Sequence, residues 1–515
     1  MKSAPEKSKN PLHIVFLHLD LGIGGAEQLV VNLALASLPL PPEESESNSN
    51  QEGTEASLNS RVSIFTTHCN QNHCFDAVNK TLKPPGKLAN SVHVMGAFLP
   101  VTIFGKGTAF CSTIRMMYLS FMARRMHPDA DVFVLDVLPT PIPYLVQRSK
   151  CVIYYCHFPD KLLTRDTVNG ETSPVLDSES MNKTTPGGSK AKIKSHFKKQ
   201  YRRILDYMEE WAMSYADLIC VNSNFTKTEV ISAFPSLDKT QGGKDTLMKV
   251  LYPAIDLNKF IPPDFARKQK LLDTGDRAQS PIVSLNRFER KKNIQVLLHA
   301  YASIHEDFKR GNKLASLPPL VISGGYDPRN IENVEYLTEL KTLAKSLQIE
   351  ESTKFRPSVS DEERAILLQS AICVVYTPHR EHFGIVPLEA MYAGSAVVAI
   401  KSGGPKESVL DGVTGILVDM KSGNSSDSLA KAMKQLLDDP SKAIEMGKRG
   451  HEHVKEHFGL DPFRREWKRL VVDEGIPRGH QREVNSSNRM ALVLSYAVLL
   501  LAWYVARYFF IGTSD

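Results

Sequence analysis

Two glutamates, Glu381 and Glu389, stand eight positions apart in a segment that also carries helix signals. Pro387 suits the first turn of a helix and Gly394 suits the left-handed position after its end, so we expect a loop followed by a short helix. Three free N–H groups at the positive end of this helix would favour a phosphate. They belong to Gly384, Ile385 and Val386. Because a carboxylate repels phosphate, we expect the glutamates to accept hydroxyl groups, and the combination indicates a sugar nucleotide.

Two further segments in this half of the chain fit a phosphate ligand. The apolar run from Ala396 to Ile400 predicts a buried strand, and the turn Ser402-Gly403-Gly404-Pro405 after it would let backbone approach a ligand. The apolar run from Ile282 to Leu285 precedes a basic turn that contains Arg287 and Lys292. An arginine fork and a lysine point charge both suit a diphosphate. Taken alone, each motif also has a structural interpretation. The two glutamates could be solvated residues of a surface helix, and the basic turn could be a solvated surface turn.

Together these motifs resemble the donor site of the retaining GT-B glycosyltransferases, in the family that includes sucrose synthases and many mannosyltransferases. The similarity covers about residues 12–470 and is most specific from Glu381 to Gly415 and in the Arg-x4-Lys pattern. It implies an α/β fold with two Rossmann-like, doubly wound domains facing across a cleft. It also implies that Glu381 contacts the transferred sugar, Glu389 the ribose hydroxyls, and Arg287 and Lys292 the diphosphate.

The first half of the chain opens like a nucleotide-type domain. A β-rich run over residues 13–19 is followed by Gly22-Ile23-Gly24-Gly25 and then by helical spacing, although the glycines do not match the dinucleotide fingerprint. In the resembled family, the loop with Gly24 and Gly25 lets the donor diphosphate and the acceptor approach the backbone. A lone histidine is more often structural, but His157-Phe158-Pro159-Asp160 follows a buried-strand run, where α/β sheets place ligands. The resemblance places His157 over the donor sugar.

The His157 tetrapeptide resembles that of eukaryotic mannosyltransferases that act on lipid-linked acceptors. This resemblance implies GDP-mannose as donor and mannosyl-chitobiosyl diphosphodolichol as acceptor, with an α-1,3 and then an α-1,6 linkage made at one site. It implies attack from the same face of the sugar, with retention of configuration. Catalysis would depend on Glu381, His157, Arg287 and Lys292, without cofactor or metal. Other early glycosyltransferases of the pathway are expected partners.

Composition limits the class of protein. The chain has 515 residues, 42% of them hydrophobic, which indicates a globular protein with more than one domain. Lys and Arg exceed Asp and Glu by only 63 to 57, so nucleic acid is not an expected partner. The seven cysteines are scattered, which favours a reducing compartment over a disulfide framework. The polar start of the chain lacks the apolar region of a secretory signal.

We expect an N-terminal acceptor-side domain over residues 11–252, with disordered inserts at 39–59 and 167–189. A donor-binding domain over 253–460 and a crossover helix over 461–475 would follow. Seventeen uncharged residues from Met490 to Ala506 predict a transmembrane tail anchor over 490–511. The catalytic domains would then lie on the cytosolic face of the endoplasmic reticulum membrane.

Several alternatives remain open on sequence grounds. The apolar stretch 97–126 fits either a core helix or a contact with a membrane face, and the basic run 190–203 fits either a solvated helix or a surface for anionic headgroups. Four histidines and cysteines within residues 68–74 admit a zinc site, although their spacing is unusual. The chain could also transfer a UDP-sugar such as UDP-N-acetylglucosamine to a membrane lipid, act as a silent membrane-tethered scaffold, or be a soluble polysaccharide synthase.

Overall fold

The structure, a computed structural model, describes most of the chain. The described residues are 11–39, 58, 60–103, 107–147, 149–163, 165–168, 171–174, 189–238, 247–257, 260–273, 279–313, 317–420 and 425–481. They divide into two compact units. Unit 1 contains the described residues up to 222, residues 227–251 and those from 464 onward, and unit 2 contains residues 223–226 and 252–463.

Unit 1 is built on a parallel sheet of seven strands in the order β3-β2-β1-β4-β5-β8-β9. In chain order, the strands of this unit are β1 (Leu12–Leu17), β2 (Ser60–Thr66), β3 (Val92–Val94), β4 (Val132–Asp136), β5 (Cys151–Cys156), β6 (Arg165–Val168), β7 (Glu171–Pro174), β8 (Leu218–Val221) and β9 (Met248–Val250). Strand β5 is buried at all six positions, because a parallel sheet is covered on both faces. Strands β6 and β7 pair only with each other, antiparallel.

In the part of the chain that the structure describes, six α-helices lie between these strands. They are α1 (Gly25–Ser37), α2 (Thr108–Met126), α3 (Ile142–Leu145), α4 (Asp160–Leu163), α5 (Ser189–Met213) and α6 (Asn224–Ala233). Helix α2 places Met116 and Leu119 in the core of unit 1, as a core helix in the stretch 97–126 predicts. Phe98 and Val101, before this helix, are 74% and 56% exposed.

Unit 2 repeats the same design with six strands in the order β12-β11-β10-β13-β14-β15. The strands are β10 (Ile282–Leu285), β11 (Leu320–Gly324), β12 (Thr353–Pro357), β13 (Cys373–Tyr376), β14 (Ala396–Ile400) and β15 (Gly415–Val418). The helices are α7 (Phe265–Asp273), α8 (Ile294–Arg310), α9 (Ile331–Ser346), α10 (Asp361–Ser370), α11 (Ile385–Tyr392), α12 (Pro405–Ser408), α13 (Ser425–Asp438) and α14 (Pro440–His457). All strand pairs of this six-stranded sheet and of the seven-stranded sheet of unit 1 are parallel, so each of the two presents the carboxyl ends of its strands along one edge.

The last described segment runs from α15 (Leu460–Arg469) through a π-helical turn (Leu470–Gly475) into α16 (Ile476–Gln481). From Arg464 onward it belongs to unit 1. Trp467 is fully buried there, and its indole N–H donates to Ser37 Oγ on α1 at 2.9 Å. Unit 1 is therefore assembled from both ends of the described chain.

Two elements of unit 1 were not predicted from the sequence, namely strand β9 and the pair β6 and β7. Strand β9 forms one edge of the sheet, and its three residues contain no apolar run that would predict a strand. Residues 167–168 and 171–174 of the insert 167–189 belong to strands β6 and β7, and the disorder of the insert stays a prediction.

Two expected features fall largely or wholly outside the described residues. The insert 39–59 is described only at Pro39 and Leu58, and the expected anchor 490–511 is not described. Within the described part of the chain, no helix combines the length and apolar character needed to cross a membrane. An α/β fold with two parallel sheets is confirmed.

Candidate active site

The site in unit 2 lies where the strand order of its sheet reverses. Strand β10 has β11 on one side and β13 on the other, and open α/β sheets bind ligands at the carboxyl ends of strands beside such a switch point. Arg287 and Lys292 follow β10, and Glu381 follows β13. The topology therefore brings these segments to one edge of the sheet.

Lys292 and Glu381 meet directly at this switch point. Lys292 Nζ lies 2.6 Å from Glu381 Oε2, and the two side chains are 14% and 25% exposed. Burial alone would raise the pKa of the Glu381 carboxyl, but the Lys292 ammonium holds it below its usual range. The Thr377 hydroxyl donates to the Lys292 carbonyl at 2.7 Å, which fixes the basic turn against the end of β13. The pair combines a cation for phosphate with a carboxylate for hydroxyls.

Helix α11 begins immediately after this pair. Gly384 precedes its first residue with φ at +80°, a left-handed conformation that favours glycine. Pro387 lies in the first turn and Gly394 follows the end with φ at +76°, as the sequence predicts. None of the N–H groups of Gly384, Ile385 and Val386 has a hydrogen-bond partner among the described residues. They remain available to an anion at the positive end of the helix.

Glu389 lies one turn inside α11 and is 7% exposed. Its Oε2 accepts a hydrogen bond from Nη2 of Arg364 on α10. Burial raises the pKa of Glu389, and Arg364 opposes this shift. Arg364 was missed by sequence reasoning, because nothing in its own segment links it to a glutamate 25 positions later.

Gly403 and Gly404 pack directly against the Glu381 loop, and the approach of this turn to a ligand stays a prediction. A Cβ at Gly403 would overlap the Glu381 carbonyl oxygen, and one at Gly404 would overlap the backbone of Phe383. The Gly404 N–H donates to the Glu381 carbonyl at 2.8 Å. The two glycines therefore let the turn after β14 pack onto the Glu381 loop and hold its backbone.

Residues 223–226 also support this loop, and sequence reasoning missed them. The Ser223 hydroxyl donates to the His382 carbonyl at 2.6 Å. The Glu407 carboxylate accepts the N–H groups of Asn224 and Phe225, each at 2.8 Å. Glu407 follows the Ser402-Gly403-Gly404-Pro405 turn by two residues, so this turn and residues 224–225 are joined by its carboxylate.

Arg287 is not part of the Lys292 and Glu381 pair. Its side chain is 70% exposed, and its Nη1 lies 3.8 Å from Glu289 Oε1. It occupies the same edge of the sheet and faces solvent.

Lys268 joins the ends of the two helices that carry Arg364 and Glu389. Its Nζ donates to the Gly394 carbonyl at 2.7 Å and to Ser395 Oγ at 2.9 Å, and lies 3.4 Å from the Ala371 carbonyl. Burial without a carboxylate partner lowers the pKa of Lys268 to about 7. This lysine therefore satisfies the carbonyl groups that end α10 and α11.

In unit 1, the glycine loop and His157 both lie at the carboxyl edge of the sheet. Gly24 is extended and Gly25 is the first residue of α1. His157 follows β5 with its side chain 28% exposed, and its Nε2 lies 3.1 Å from Asp136 Oδ2. The Asn222 amide donates to the His157 carbonyl at 3.0 Å.

Glu209 on α5 holds the loop after His157. Its carboxylate accepts the N–H groups of Asp160 at 2.8 Å and Lys161 at 3.2 Å, which caps the start of α4. Burial raises the pKa of Glu209 to about 7. On the same helix, Arg202 belongs to the basic run 190–203 and pairs with Asp206 at 2.7 Å.

Among the described residues, one group has ligand atoms close enough for a metal ion: those of His13, His127 and Asp129 lie within 4.8 Å of one another. The Arg61 guanidinium donates to Asp129 Oδ2 at 2.6 Å and lies 2.8 Å from His13 Nδ1. A protein cation thus already occupies this cluster. The histidines and cysteines of 68–74 form no such group in this part of the chain.

Comparison with known proteins identifies relatives of this chain in sequence. A model of the family described as glycosyl transferases group 1 matches residues 267–453. The chain is 33% identical over 473 residues to the human alpha-1,3/1,6-mannosyltransferase ALG2, covering 89% of this chain and 95% of that protein. It is also 33% identical to the ALG2 of Dictyostelium discoideum, covering 89% and 97%, and 31% identical to that of Saccharomyces cerevisiae, covering 88% and 83%.

Solved structures of other glycosyltransferases share the fold. Sucrose-phosphate synthase from Thermosynechococcus elongatus aligns with a TM-score of 0.59 at 18% identity, covering 90% of this chain and 98% of that one. Anabaena HepE in complex with UDP aligns with a TM-score of 0.56 at 19% identity, covering 90% and 100%. The similarity in structure supports the GT-B fold, and the similarity in sequence shows that the chain belongs to the family of the α-1,3/1,6-mannosyltransferases named ALG2.

Proposed function

We propose that the chain transfers mannose from GDP-mannose to mannosyl-chitobiosyl diphosphodolichol, with retention of configuration. The α-1,3 linkage is made first and the α-1,6 linkage second, at one active site. The names of the relatives support the two linkages, and the groups at the switch point of unit 2 support a sugar-nucleotide donor.

The observation that carries this proposal is the Lys292 and Glu381 pair beside the start of α11. The two charges neutralise each other at 2.6 Å. A diphosphate competes for Lys292 and for the free N–H groups of Gly384, Ile385 and Val386. Glu381 is then released to accept a hydroxyl of the sugar. The exposed Arg287 side chain supplies a second cation for the diphosphate.

Glu389 is proposed to accept the ribose hydroxyls. Arg364 occupies Oε2, which leaves Oε1 as the acceptor for a ligand. A buried carboxylate makes a strong and directional acceptor, because little water competes with it. This contact would fix the nucleoside while the groups before α11 fix the diphosphate.

The chemical step breaks the bond between the anomeric carbon and the diphosphate oxygen. The departing GDP carries the developing negative charge, and the cations and N–H groups that hold it lower the barrier. The acceptor hydroxyl oxygen then bonds to the anomeric carbon on the same face, and its proton passes to the departing phosphate. His157 is proposed to orient the sugar as positive charge develops on it.

We also propose that the protein acts at the endoplasmic reticulum membrane, with its catalytic domains on the cytosolic face and other early glycosyltransferases as partners. The uncharged sequence within 490–511 and the lipid acceptor support this location. Removal of residues 489–515 should move the protein from the membrane fraction to the soluble fraction. Continued sedimentation with the membranes would contradict the anchor.

The direct test uses purified protein in liposomes, radiolabelled GDP-mannose and a phytanyl-diphospho-chitobiosyl-mannose acceptor, with a chelator present. The proposal expects a product that gains two mannoses. Transfer that occurs only from a UDP-sugar, or only to another lipid, would refute the donor or the acceptor assignment. Linkage-specific mannosidases applied to the intermediate would establish which bond forms first.

A further inference from the structure

Three neighbouring strands of unit 1 end in a connected set of ionisable side chains. His18 follows β1, Asp136 ends β4 and His157 follows β5, and these strands are adjacent in the sheet. The strand order of unit 1 reverses between β1 and β4, which is the position where open α/β sheets bind ligands. His18 and Asp136 thus occupy the switch point of their sheet, as Lys292 and Glu381 do in unit 2.

Asp136 contacts both histidines at once. Its Oδ1 lies 2.6 Å from His18 Nδ1, and its Oδ2 lies 3.1 Å from His157 Nε2. Asp136 and His18 are each 2% exposed, whereas the His157 side chain is 28% exposed. The carboxylate therefore has both oxygens engaged inside the protein, and of the three side chains His157 is the one that a ligand can reach.

His18 carries the charge that keeps Asp136 ionised. Its second ring nitrogen, Nε2, faces Glu27 Oε1 at 4.0 Å, so both nitrogens of the ring face carboxylates. Burial alone would lower the pKa of His18, but Asp136 and Glu27 raise it well above its usual range. Burial would raise the pKa of Asp136, but His18 and His157 hold it below its usual range. Both shifts favour the imidazolium form of His18 and the carboxylate form of Asp136.

Gly24 makes room for this arrangement. A Cβ at position 24 would overlap the Glu27 carboxylate, which lies in the first turn of α1. The glycine loop that the sequence singled out therefore allows Glu27 to approach His18.

The contact with Asp136 defines the tautomer of His157. An ionised carboxylate can only accept a hydrogen bond, so Nε2 of His157 carries a hydrogen and donates it. This leaves Nδ1 as the ring nitrogen for a ligand. The ring also lies 5.1 Å from that of Tyr155, which restricts its rotation.

The backbone beside Asp136 is strained. Val137 has φ at +64°, which is rare for a β-branched residue and is found preferentially at functional sites. The Tyr154 hydroxyl donates to the Val137 carbonyl at 3.3 Å and supports this conformation. The chain therefore turns sharply at the point where Asp136 meets the two histidines.

We propose that Asp136 and His18 are positioning residues that fix the ring orientation and the tautomer of His157 for its contact with the donor sugar. The inference rests on the proposed function, because it assigns His157 to that contact. Neither residue needs to touch the substrate, and their effect on the reaction passes through His157.

A double-mutant cycle with Asp136→Asn and His157→Gln tests this role. Alone, Asp136→Asn should lower kcat by about 10- to 100-fold and leave KM for the donor within about twofold, since a misplaced group costs rate more than binding. In the His157→Gln background it should cause no further loss, because residues that act as a unit are not additive. Losses that multiply in the double variant, or an Asp136→Asn variant as active as the wild type, would overturn the proposal.

Asp131→Asn is the matched control. Asp131 precedes the other end of β4, where its Oδ1 lies 2.6 Å from Lys150 Nζ. This control should retain the wild-type kcat, and a loss equal to that of Asp136→Asn would indicate a general defect of the strand and refute the specific role.

Folding of each variant is checked by circular dichroism and by GDP affinity, which depends on unit 2 in the proposed function. If Asp136→Asn does not fold, the cycle is run with His18→Gln, which keeps a donor for Asp136. A His18→Gln loss that persists in the His157→Gln background would overturn the proposal. If the wild type transfers no mannose, the proposed function is refuted. The same double-mutant cycle is then measured with the sugar nucleotide that the wild type does use.

Discussion

Glu389→Gln tests the donor site most directly, because it removes one charge and preserves the size of the side chain. The wild-type carboxylate side chain is 10% exposed, and Arg364 engages one of its two oxygens. The remaining oxygen is the proposed acceptor for the ribose. A hydrogen bond to a charged group contributes about 1.5 to 3 kcal/mol, and about 1.4 kcal/mol changes a dissociation constant tenfold. We therefore expect GDP to bind about 10- to 150-fold more weakly.

The same substitution should affect stability less than binding. Removing one partner of a buried ion pair costs about 3 to 5 kcal/mol when the other charge stays buried. The Arg364 side chain is 33% exposed, so its guanidinium can turn toward water. We expect the free energy of unfolding to fall by about 1 to 2 kcal/mol.

Isothermal titration calorimetry with GDP measures the affinity, and urea denaturation measures the stability. Glu362→Gln is the control, because Glu362 is exposed on the same helix as Arg364. GDP affinity within about twofold of the wild type for Glu389→Gln would refute the ribose assignment, since it corresponds to less than one hydrogen bond. Equal losses in both variants would show that the charge of this surface, and not a contact, controls binding.

Three further predictions concern other cations and carboxylates. Lys292→Gln should lower mannose transfer in the liposome assay by about 100-fold or more, because it removes the buried cation proposed for the diphosphate. The control Lys291→Gln changes a side chain that is 72% exposed, and its transfer rate should stay near that of the wild type. The pKa of Lys268 is about 7 in the folded protein and 10.5 in the unfolded chain. Between these pH values the unfolded chain binds one more proton than the folded protein. The free energy of unfolding of the wild type should therefore rise as the pH rises from about 7 to 10.5. The slope should be at most about 1.4 kcal/mol per pH unit, and urea midpoints should show that Lys268→Met flattens it. Glu209→Gln replaces a two-oxygen cap by a single acceptor and should lower transfer about tenfold, while the neighbouring Glu210→Gln should not.

The strands could be predicted because buried parallel strands are continuous apolar runs. Cys151 to Cys156 and Ala396 to Ile400 are buried at every position. The short edge strand β9, Met-Lys-Val, has no such run, and it was missed. A strand of three residues with a central lysine has too little apolar surface to stand out from a loop.

The local part of the donor site could be predicted for a similar reason. Pro387 and Gly394 mark the ends of α11 by their own backbone preferences, so the position of Glu389 inside the helix follows from the sequence alone. The partner of that glutamate does not follow, because Arg364 reaches it from another helix. Asp136 was likewise hidden, since it closes an apolar run and reads as the end of a strand. The role of Asp136 depends on its contacts with two histidines that follow neighbouring strands.

The burial of Trp467 against Ser37 has a consequence for the order of folding during synthesis. The hydrogen bond between them joins residues 430 positions apart, and residues 252–463 of unit 2 lie between them in the chain. A ribosome completes unit 2 before it has made the last helices of unit 1. Synthesis of unit 1 therefore begins before that of unit 2 and ends after it. Until Trp467 has been synthesised, its contact with Ser37 on α1 cannot form. Proteins usually fold from the amino terminus domain by domain, whereas the amino-terminal unit of this chain is completed by its carboxyl-terminal segment.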